Sequence, residues 1–593
     1  MRKTKIVCTL GPATENEDTL RQMILSGMNI ARFNFSHQTH EEHLARVKMV
    51  DKLRRELGLP IARLLDTKGP EIRLGLFKNR QVILKEGQTF TITTREVEGD
   101  ENIVSVSFKG MPQDVHPGSH VLIDDGLIEL LVQDTTDTDV ICKVLNGGPV
   151  SNNKGVNLPG THISLPFISE KDKSDLLFGI ENGFDFVAAS FTRTAADVIA
   201  IRAILEQNGG ERIRIIPKIE NAEGVENIDE ILKAADGVMV ARGDMGVEIP
   251  FEEIPHIQKT IIRKAYNAGK LVITATQMLD SMQVNPRPTR AEVTDVANAI
   301  YDGTSAIMLS GETAAGKHPV EAVKVMSRIA ERTEADIDYK AQLAQRKMEE
   351  APNVTNAISH ATCTTAHDLG AAAILTVTKS GQTARFISKF RPACPIIGCT
   401  PDEQVYRQLN MSWGVVPVMT KEMGSTDELF EHAVRSAVGR GLLREGDVVV
   451  ITAGVPLGVS GTTNLMKVQV VGDALVSGHG IVHASVVGNL CVCHTEEEAL
   501  RNFREGDILV IPSTSNNIMS VIKKCSGIIA EQEGAASHAA VVGLTLDKPV
   551  IVGAKSATQI LKSGTTVILD GTRGIVFSAG NSEHPAEPAQ AKK

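Results

Sequence analysis

Aromatic residues are scarce in this 593-residue chain, making up 4% of it with one tryptophan and four tyrosines. So few rings leave little surface for stacking nucleic-acid bases or sugars. No apolar run approaches the ~18 residues that a membrane-spanning helix needs. The apolar run from Ile6 to Leu10 is too short for a secretory signal. We therefore expect a cytoplasmic protein with no membrane partner.

Cysteine is also sparse, with eight residues and no C-x-x-C pair. This usage excludes a disulfide scaffold and is typical of reduced, buried thiols. Basic residues are outnumbered, 62 lysines and arginines against 72 aspartates and glutamates, for a formal net charge of −10. An acidic chain without a basic block is a poor candidate for binding nucleic acid. The composition, 42% hydrophobic and 23% charged, is that of a globular protein of several domains.

Short apolar runs alternate with amphipathic stretches over the first two-thirds of the chain. Eight of these runs have the character of buried parallel strands: Lys5–Thr9, Asn29–Phe35, Ile61–Asp66, Phe184–Ser190, Arg212–Lys218, Gly237–Ala241, Leu271–Ala275 and Ala306–Ser310. Eight strand–helix units are the count of a closed (β/α)8 barrel, so we predict an α/β fold built on a TIM barrel. An open doubly wound sheet is the alternative.

A long, turn-rich segment separates the third and fourth predicted strands. Its short alternating runs are typical of a small β-barrel domain inserted in a βα loop. Such loops lie over the C-terminal rim of a barrel, where active sites are found. We therefore predict a lid domain at residues 71–168 and a catalytic barrel at residues 1–70 and 169–340.

Beyond a charged stretch near residue 340 the alternation of strands and helices resumes. It predicts a second α/β domain at residues 341–473 and a further small α/β module at 474–580. Residues 581–593 are rich in proline, alanine and charge, which predicts a disordered tail.

Two carboxylates follow consecutive strands of the predicted barrel. Glu220 comes just past the fifth strand and Asp244 just past the sixth. Because successive parallel strands are usually neighbours, both carboxylates should reach one rim. Two carboxylates suit Mg²⁺ or Mn²⁺, which completes its shell with water and substrate oxygens. A salt-bridge network with Lys218 and Arg242 is the alternative.

Further polar residues follow other strands. Basic side chains that converge on the two metal-binding carboxylates indicate recognition of phosphate or carboxylate. The candidates are Arg32, Lys68 and Arg73. Oxygen-bearing residues beside them either hold a second cation or cap turns: Asn34, Ser36, Asp66 and Thr67. The hydroxyl of Thr276 either contacts the ligand or caps a turn. The residues alone indicate a metal-dependent barrel enzyme acting on a phosphorylated or carboxylated small molecule, and leave the reaction open.

Taken together, these motifs resemble the pyruvate kinase family over about residues 1–473. The resemblance is carried by Lys5–Thr14, Met28–His37, Leu65–Arg73, Asp124–Gly126, Lys154–Pro159, Ile216–Gly224, Met239–Glu248, Thr274–Met282, Pro286–Asp302 and Ile307–Thr313. It implies phosphoryl transfer from phosphoenolpyruvate to ADP, giving ATP and pyruvate in the final step of glycolysis. It also implies a homotetramer that requires Mg²⁺ (or Mn²⁺) and K⁺.

The resemblance implies a role for each matching residue. Glu220 and Asp244 are expected to bind the divalent ion, and Lys218 to stabilise the transferring phosphoryl group. The other assignments are substrate contacts at Arg32, Ala241, Arg242, Gly243, Asp244 and Thr276, K⁺ ligands at Asn34, Ser36, Asp66 and Thr67, and nucleotide contacts at Asn34, His37, Arg73 and Lys154. Thr276 also matches the group implicated in protonating the enolate, and Glu71 matches a residue of K⁺-dependent members.

A loop in the second α/β domain runs from a strand into a helix, a setting that binds phosphate readily. In the family the corresponding loop takes the phosphate of a sugar-phosphate activator, which implies an effector site at Thr378, Lys379, Ser380, Gly381, Gln382 and Thr383. An unoccupied helix cap is the alternative. The companion loop Ala453–Thr463 lacks the arginine and tryptophan that help bind fructose 1,6-bisphosphate. The resemblance therefore favours AMP or ribose 5-phosphate.

The last module resembles the swivelling phosphohistidine domain of phosphoenolpyruvate-utilising enzymes. The stretch Gly527–Ala540 carries this resemblance, with Ala536 where the motif has threonine. We expect a structural or regulatory module rather than phosphotransfer through His538. Two other hypotheses remain: a Mg²⁺-dependent lyase or aldolase that forms a pyruvate enolate, and a phosphocarrier centred on His538.

Overall fold

The computed structural model describes residues 1–345, 353–444, 447–455, 463–472 and 474–578. The chain forms two compact units. One comprises Met1–Thr364, Thr376–Glu422 and Thr452–Leu465, and the other comprises Thr365–Leu375, Met423–Ile451 and the chain from Met466. The predicted tail and most of the companion loop Ala453–Thr463 lie outside the described residues. The predicted domain boundaries stay predictions.

Eight parallel strands close into a barrel, which confirms the predicted fold class. In chain order the strands β1–β8 are Lys5–Thr9, Ile30–Asn34, Ala62–Asp66, Phe186–Ala189, Arg214–Ile219, Gly237–Ala241, Leu271–Ala275 and Ala306–Leu309. Strand β1 pairs with both β2 and β8, with Lys5 opposite Ala306 and Val7 opposite Ile30. This pairing closes the ring and excludes the open sheet.

The barrel strands are apolar on both faces because one face lines the interior and the other meets the helices. All residues of β1, β3, β6 and β7 are buried. Inside the barrel, the buried side chains of Ile30, Leu64, Phe186, Met239 and Ile273 belong to one cluster. The interior is a packed core, so polar chemistry is confined to the rim.

Helices cover the barrel, and several of them begin at side-chain caps. Thr39, Ser169 and Thr289 form capping boxes with an acidic residue three positions later. The amphipathic stretch 221–235, one of those that follow the predicted strands, forms two helices separated at Asn227, whose side-chain amide donates to the carbonyl of Arg193. The helices in this region are Glu17–Leu25, His40–Leu57, Glu170–Glu181, Ala195–Gln207, Ala222–Glu226, Ile228–Ala234, Arg242–Glu248, Ile254–Asn267, Arg290–Tyr301, Gly311–Ala314, Pro319–Ala335 and Tyr339–Gln345.

The segment between β3 and the helix Glu170–Glu181 is an inserted β domain with its own hydrophobic cluster. It forms a seven-stranded and a two-stranded sheet. The strands are Ile72–Arg73, Gln81–Leu84, Thr89–Thr93, Ile103–Ser105, His120–Ile123, Ile128–Thr135, Asp139–Asn146, Gly148–Ser151 and Gly155–Asn157, with one short helix at Met111–Asp114. Since the insert follows β3, it leaves and rejoins the barrel at the carboxyl ends of the strands.

The chain then forms a five-stranded sheet, as the resumed alternation predicts. Its strands are Ala373–Val377, Ile396–Thr400, Val415–Met419, Val448–Gly454 and Thr463–Val470, and the helices are Val354–Asp368, Gln382–Lys389, Glu403–Leu409 and Thr426–Gly439. The loop 378–383 joins the first of these strands to the helix Gln382–Lys389. The candidate effector residues therefore lie at a strand-to-helix junction, as expected.

The C-terminal module contains an eight-stranded sheet. Its strands are Ala474–Ser477, His479–Gly480, Ser485–Val492, Ile508–Ile511, Gly527–Ala530, Val550–Val552, Thr566–Asp570 and Ile575–Ser578, and the helices are Glu496–Asn502, Met519–Lys524, His538–Leu546 and Ala557–Ile560. This mixture confirms the predicted small α/β module. In the part of the chain that the structure describes, no helix has the length and apolar character to span a membrane.

Candidate functional site

Lys218 lies in a buried charged cluster at the carboxyl ends of β3–β5. Its Nζ is 3.0 Å from Glu220 Oε1 and 3.1 Å from Asp66 Oδ1, and it donates a 2.8 Å hydrogen bond to Ser190 Oγ. Burial lowers the pKa of Lys218, but Asp66 and Glu220 outweigh this effect and raise it above its ordinary value. The ammonium is therefore a permanent positive charge at the rim.

Glu220 is fully buried beside this ammonium. Its Oε2 accepts a 2.6 Å hydrogen bond from the amide of Phe191. Its Oε1 is buried and forms the 3.0 Å ion pair with Lys218, without the geometry of a hydrogen bond to any described residue. Burial raises the pKa of Glu220 to about 7, opposed by Lys218 and reinforced by Asp244. A buried carboxylate whose oxygen has an ion pair but no hydrogen bond keeps lone pairs for a divalent cation.

Asp244 follows β6 in the short helix Arg242–Glu248 and is half-buried. It borders a cavity of about 580 Å³ together with Gly243 and, from the insert, Asp125. The pKa of Asp125 is raised by burial and by the nearby carboxylates of Asp244 and Asp124. Excess negative charge at this cavity favours a cation, so the donor set fits the expected divalent ion.

Arg32 is buried at the end of β2 and held by two neighbouring strands. Its Nε donates to Asp66 Oδ2 at 2.6 Å, and its Nη1 donates to Thr9 Oγ1 at 2.8 Å. Burial raises the pKa of Asp66, but Arg32 and Lys218 outweigh it, so the net shift is downward. Asp66 thus orients both cations of the rim.

The four candidate K⁺ ligands gather at the ends of β2 and β3. Asn34 and Asp66 are opposite each other in the strand register. Two of the candidate oxygens also accept hydrogen bonds from the protein. Ser36 N donates to Asn34 Oδ1, and Ser190 Oγ donates to the carbonyl of Thr67. The oxygens suit a hard cation, and K⁺ binding at this site stays a prediction.

The four candidate nucleotide contacts form two pairs. Arg73 and Lys154 lie in the insert, where Arg73 is opposite Gly155 in paired strands. Lys154 Nζ lies 2.8 Å from Asp124 Oδ1. On the barrel, His37 N donates to the carbonyl of Asn34 at 3.3 Å. The structure therefore brings each pair together on its own domain.

Glu71 is held by two basic residues of the same loop. Arg73 Nη2 lies 2.9 Å from Glu71 Oε1, and Lys68 Nζ lies 3.5 Å from Glu71 Oε2. These ion pairs neutralise the carboxylate locally. The expected link between Glu71 and K⁺ dependence stays a prediction.

Thr276 is coupled to the backbone that follows β6. Its Oγ1 accepts a 2.7 Å hydrogen bond from Gly243 N and donates to the carbonyl of Ala275. Arg242 Nη2 donates to the Thr276 carbonyl at 2.6 Å. Thr276 has a φ of 69°, a left-handed conformation that is strained for a β-branched residue. These contacts hold Ala241–Gly243 and Thr276 as one assembly.

The candidate effector loop is held by cations from two elements. The carbonyl of Ser380 accepts from Arg385 Nη1 at 3.2 Å and from Arg214 Nη2 at 3.4 Å. Gly381 is the N-cap of the following helix at a φ of 75°, and as a glycine it contributes no side-chain hydrogen bond to the helix start. Lys379 pairs with Glu422 at 2.7 Å.

The remaining members of this loop are more enclosed. Thr378 and Thr383 are buried, and Thr383 Oγ1 lies 2.9 Å from Thr463 Oγ1. Gln382 is the first residue of the helix. Effector binding at residues 378–383 stays a prediction.

His538 begins a helix of the C-terminal module. Its Nδ1 lies 2.9 Å from Thr514 Oγ1, and its Nε2 lies 3.1 Å from Asn516 Oδ1. Both ring nitrogens therefore have polar neighbours within the module. These contacts agree with a structural role for the histidine and do not test its phosphorylation.

Three site residues were missed by the sequence reasoning. Ser190 accepts from Lys218, the amide of Phe191 donates to Glu220, and Thr9 accepts from Arg32. All three lie at or directly after barrel strands β1 and β4, so a search of every strand end for hydroxyls would have found Ser190 and Thr9. The amide of Phe191 has no sequence signal because any residue supplies one.

Comparison with protein families matches three parts of the chain. Residues 1–323 match the pyruvate kinase barrel domain, and residues 356–469 match the pyruvate kinase alpha/beta domain. Residues 503–574 match the mobile domain of PEP-utilising enzymes.

Several proteins named pyruvate kinase are similar to this chain over nearly its whole length. A pyruvate kinase of Sporosarcina psychrophila is 51% identical over 98% of this chain and 99% of its own length. A pyruvate kinase of Geobacillus stearothermophilus is 52% identical over 97% of this chain and 98% of its own. Among solved structures, a pyruvate kinase from Cryptosporidium parvum is 41% identical, with a TM-score of 0.76, over 79% of this chain and 96% of that one.

Proposed function

The chain belongs to the pyruvate kinase family, and on that premise we propose that it transfers the phosphoryl group of phosphoenolpyruvate to ADP. The observation that carries the proposal is the ammonium of Lys218, buried between Asp66 and Glu220 at the rim. Phosphoryl transfer needs little covalent help from a protein and depends on positioning and charge neutralisation. A fixed, buried cation supplies that neutralisation at low reorganisation cost.

Glu220 and Asp244 are the residues that would hold the divalent cation, Mg²⁺ or Mn²⁺. When bound, the ion supplies positive charge to the phosphoryl and enolate oxygens. The buried Glu220 Oε1, without a hydrogen bond from the described residues, and the accumulated negative charge at Asp244 and Asp125 support this assignment. The oxygens of Asn34, Ser36, Asp66 and Thr67 are the proposed K⁺ ligands.

The chain's own residues then bind and orient the substrate. Arg32 and Lys218 share the Asp66 carboxylate, so their charges stay fixed at the rim before an anionic phosphate arrives. The segment Ala241–Gly243 and the hydroxyl of Thr276 are the proposed contacts of the substrate carboxylate. Thr276 is also the proposed proton donor to the enolate carbon, which completes pyruvate.

ADP is proposed to bind between the paired contacts, with Arg73 and Lys154 on the insert and Asn34 and His37 on the barrel.

A phosphorylated effector is proposed at residues 378–383, with AMP or ribose 5-phosphate favoured over fructose 1,6-bisphosphate. The two guanidinium groups at the Ser380 carbonyl support an anion there, because they add positive charge beside the amides of the helix start. We further propose a homotetramer, which light scattering of the purified chain would test.

The test is a coupled assay of pyruvate and ATP with Mg²⁺, in which ADP and K⁺ are each present or absent and Na⁺ replaces K⁺. The proposal predicts equal amounts of pyruvate and ATP, formed only with ADP and faster in K⁺. Pyruvate released without ADP would instead support an enolate-forming lyase. A Lys218→Met variant with undiminished activity would contradict the role of the buried ammonium.

A further inference from the structure

A second cavity lies at the opposite end of the barrel from the catalytic rim. Its volume is about 280 Å³, and its lining includes residues that precede β7 and β8 in the chain, namely Tyr266 and Tyr301–Gly303. The amino ends of barrel strands ordinarily serve stability rather than catalysis. The cavity, which we call the aromatic cavity, is therefore not explained by phosphoryl transfer.

The aromatic cavity collects most of the chain's tyrosine and tryptophan. Three of the four tyrosines, Tyr266, Tyr301 and Tyr339, line it together with Trp413, the one tryptophan of the sequence. The rings of Tyr339 and Trp413 are 5.3 Å apart, centroid to centroid, and tilted by 58°. Aromatic walls with a few polar groups are typical of sites for small planar ligands.

The wall of the aromatic cavity carries positive charge. The Arg391 guanidinium lies 4.5 Å from the Trp413 ring centroid and 5.3 Å from that of Tyr266. Its Nη2 donates to the carbonyl of Gly303 at 2.9 Å, which holds the group in the wall. The acidic lining residue, Asp302, is neutralised by Lys259. The net charge of the lining therefore favours an anion.

Tyr339 supplies a polar group that the described residues do not satisfy. The side chain is 7% exposed, and its hydroxyl is buried without a hydrogen-bond partner among the residues that the structure describes. Burial raises the pKa of Tyr339, so the hydroxyl stays protonated and remains a donor. A buried donor left unpaired is destabilising, and an acceptor on a ligand would remove that cost.

We propose that the aromatic cavity binds a small planar aromatic anion, of the class of single-ring carboxylates. The rings bind the flat face, Arg391 provides the complementary charge and the Tyr339 hydroxyl donates to the carboxylate. The volume lies just below the ~300 Å³ at which sites for drug-sized ligands begin, which restricts the ligand to one ring with a short substituent. The site is independent of the proposed phosphoryl transfer.

Trp413 makes the test direct because it is the one tryptophan of the chain. The full-length protein is titrated with benzoate, benzamide and cyclohexanecarboxylate while Trp413 fluorescence is recorded, and calorimetry repeats the titrations. We expect saturable binding of benzoate, at least tenfold tighter than binding of the neutral amide or the non-aromatic acid. Equal affinities for the three probes, or no saturable signal with benzoate by either method, would overturn the proposal.

A pair of variants separates this site from non-specific binding. Tyr339→Phe removes only the hydroxyl and is expected to weaken benzoate binding about fivefold or more. Tyr406→Phe is the matched control, since Tyr406 is the tyrosine outside the cavity lining, and its benzoate affinity should equal that of the parent protein. Tyr301→Ala, at a half-exposed ring whose loss the fold should tolerate, is expected to weaken binding as well. Unchanged affinity in both Tyr339→Phe and Tyr301→Ala would refute the assignment.

Discussion

At the scale of single residues, the charged side chains at the rim of the barrel form one connected network of ion pairs. Asp66 accepts from Arg32 through one oxygen and contacts Lys218 through the other, and Lys218 in turn contacts Glu220. Removing one member of a buried ionic group leaves the others uncompensated, which is far costlier than replacing the whole group. Single substitutions here are therefore expected to be severe.

The Glu220→Gln substitution tests the proposed cation ligand. It keeps the shape of the side chain and removes its charge, so we expect kcat to fall roughly 10²–10³-fold. The concentration of Mn²⁺ needed for half-maximal activity should rise in parallel. Glu223→Gln is the control, because that carboxylate lies three residues on and contacts His162 instead of Lys218. Equal kinetic effects of the two substitutions would argue against the role of Glu220.

His43 is expected to make stability depend on pH. The side chain is buried, stacks on Phe35 with ring centroids 4.1 Å apart and donates through Nε2 to the carbonyl of His37. Burial is the main cause that lowers its pKa from 6.5 to about 4, so the folded state holds fewer protons than the unfolded state between these values. The contribution of neutral His43 to the free energy of unfolding is complete above pH 6.5 and is lost as pH falls towards 4, by about 3 kcal/mol in total.

Calorimetric Tm profiles between pH 7 and pH 5 test this expectation for the parent protein and for His43→Gln. The variant keeps a donor for the His37 carbonyl and does not titrate, so its profile should be flatter. His162→Gln, at a side chain that is 81% exposed, should follow the parent profile. Parallel profiles for the parent and His43→Gln would show that His43 has an ordinary pKa in the folded state.

At the scale of elements, the candidate site is formed by residues at the carboxyl ends of the barrel strands. Lys218 and Glu220 follow from the sequence because the apolar residues 215–217 of β5 come directly before them, which places both charges at the end of the strand. Ser190 and the amide of Phe191 do not follow, since a hydroxyl after a strand is common and an amide has no signature. The break at Asn227 was also missed, because it depends on a hydrogen bond to Arg193, which lies in another loop.

The junction at Gly381 tests the proposed effector site at this scale. Gly381 has a φ of 75°, and an added Cβ would lie 2.8 Å from Arg385 Nη1. Gly381→Ala is therefore expected to strain the loop and raise the AMP or ribose 5-phosphate concentration for half-maximal activation about tenfold or more. Gly370→Ala is the control, because Gly370 also has a positive φ but its Cβ would meet nothing within 4 Å. A normal effector response in Gly381→Ala would remove this loop from the effector site.

At the scale of the whole molecule, the described part of the C-terminal module contains its own core. Two hydrophobic clusters, one with Leu509 and Ile528 and the other with Ile529 and Val567, are formed entirely by residues beyond 474. We expect residues 474–578 to fold alone and to unfold cooperatively by circular dichroism and calorimetry. A fragment of residues 1–473 should still form ATP from phosphoenolpyruvate and ADP. A C-terminal fragment without a cooperative transition would show that its stability depends on the rest of the chain.

The fold class was predictable from the sequence at this scale, whereas closure of the barrel was inferred only from the number of predicted strands. Buried parallel strands are recognised as short continuous apolar runs, whereas the insert has short alternating runs separated by turns. The pairing of β1 with β8 joins the two ends of the barrel sequence, and no local pattern encodes such a contact. Closure depends on all the intervening strands having the right number and tilt.

That closure has a consequence for biosynthesis. Lys5 pairs with Ala306, so one edge of the first strand has no partner until the last barrel strand has left the ribosome. At ~5–20 residues per second, translation of the intervening chain takes roughly 15–60 s. During this interval the nascent protein exposes an unpaired edge of an apolar strand that is buried in the folded protein. Ribosome-associated chaperones are therefore expected to engage the growing chain, and to leave it once Leu309 has emerged.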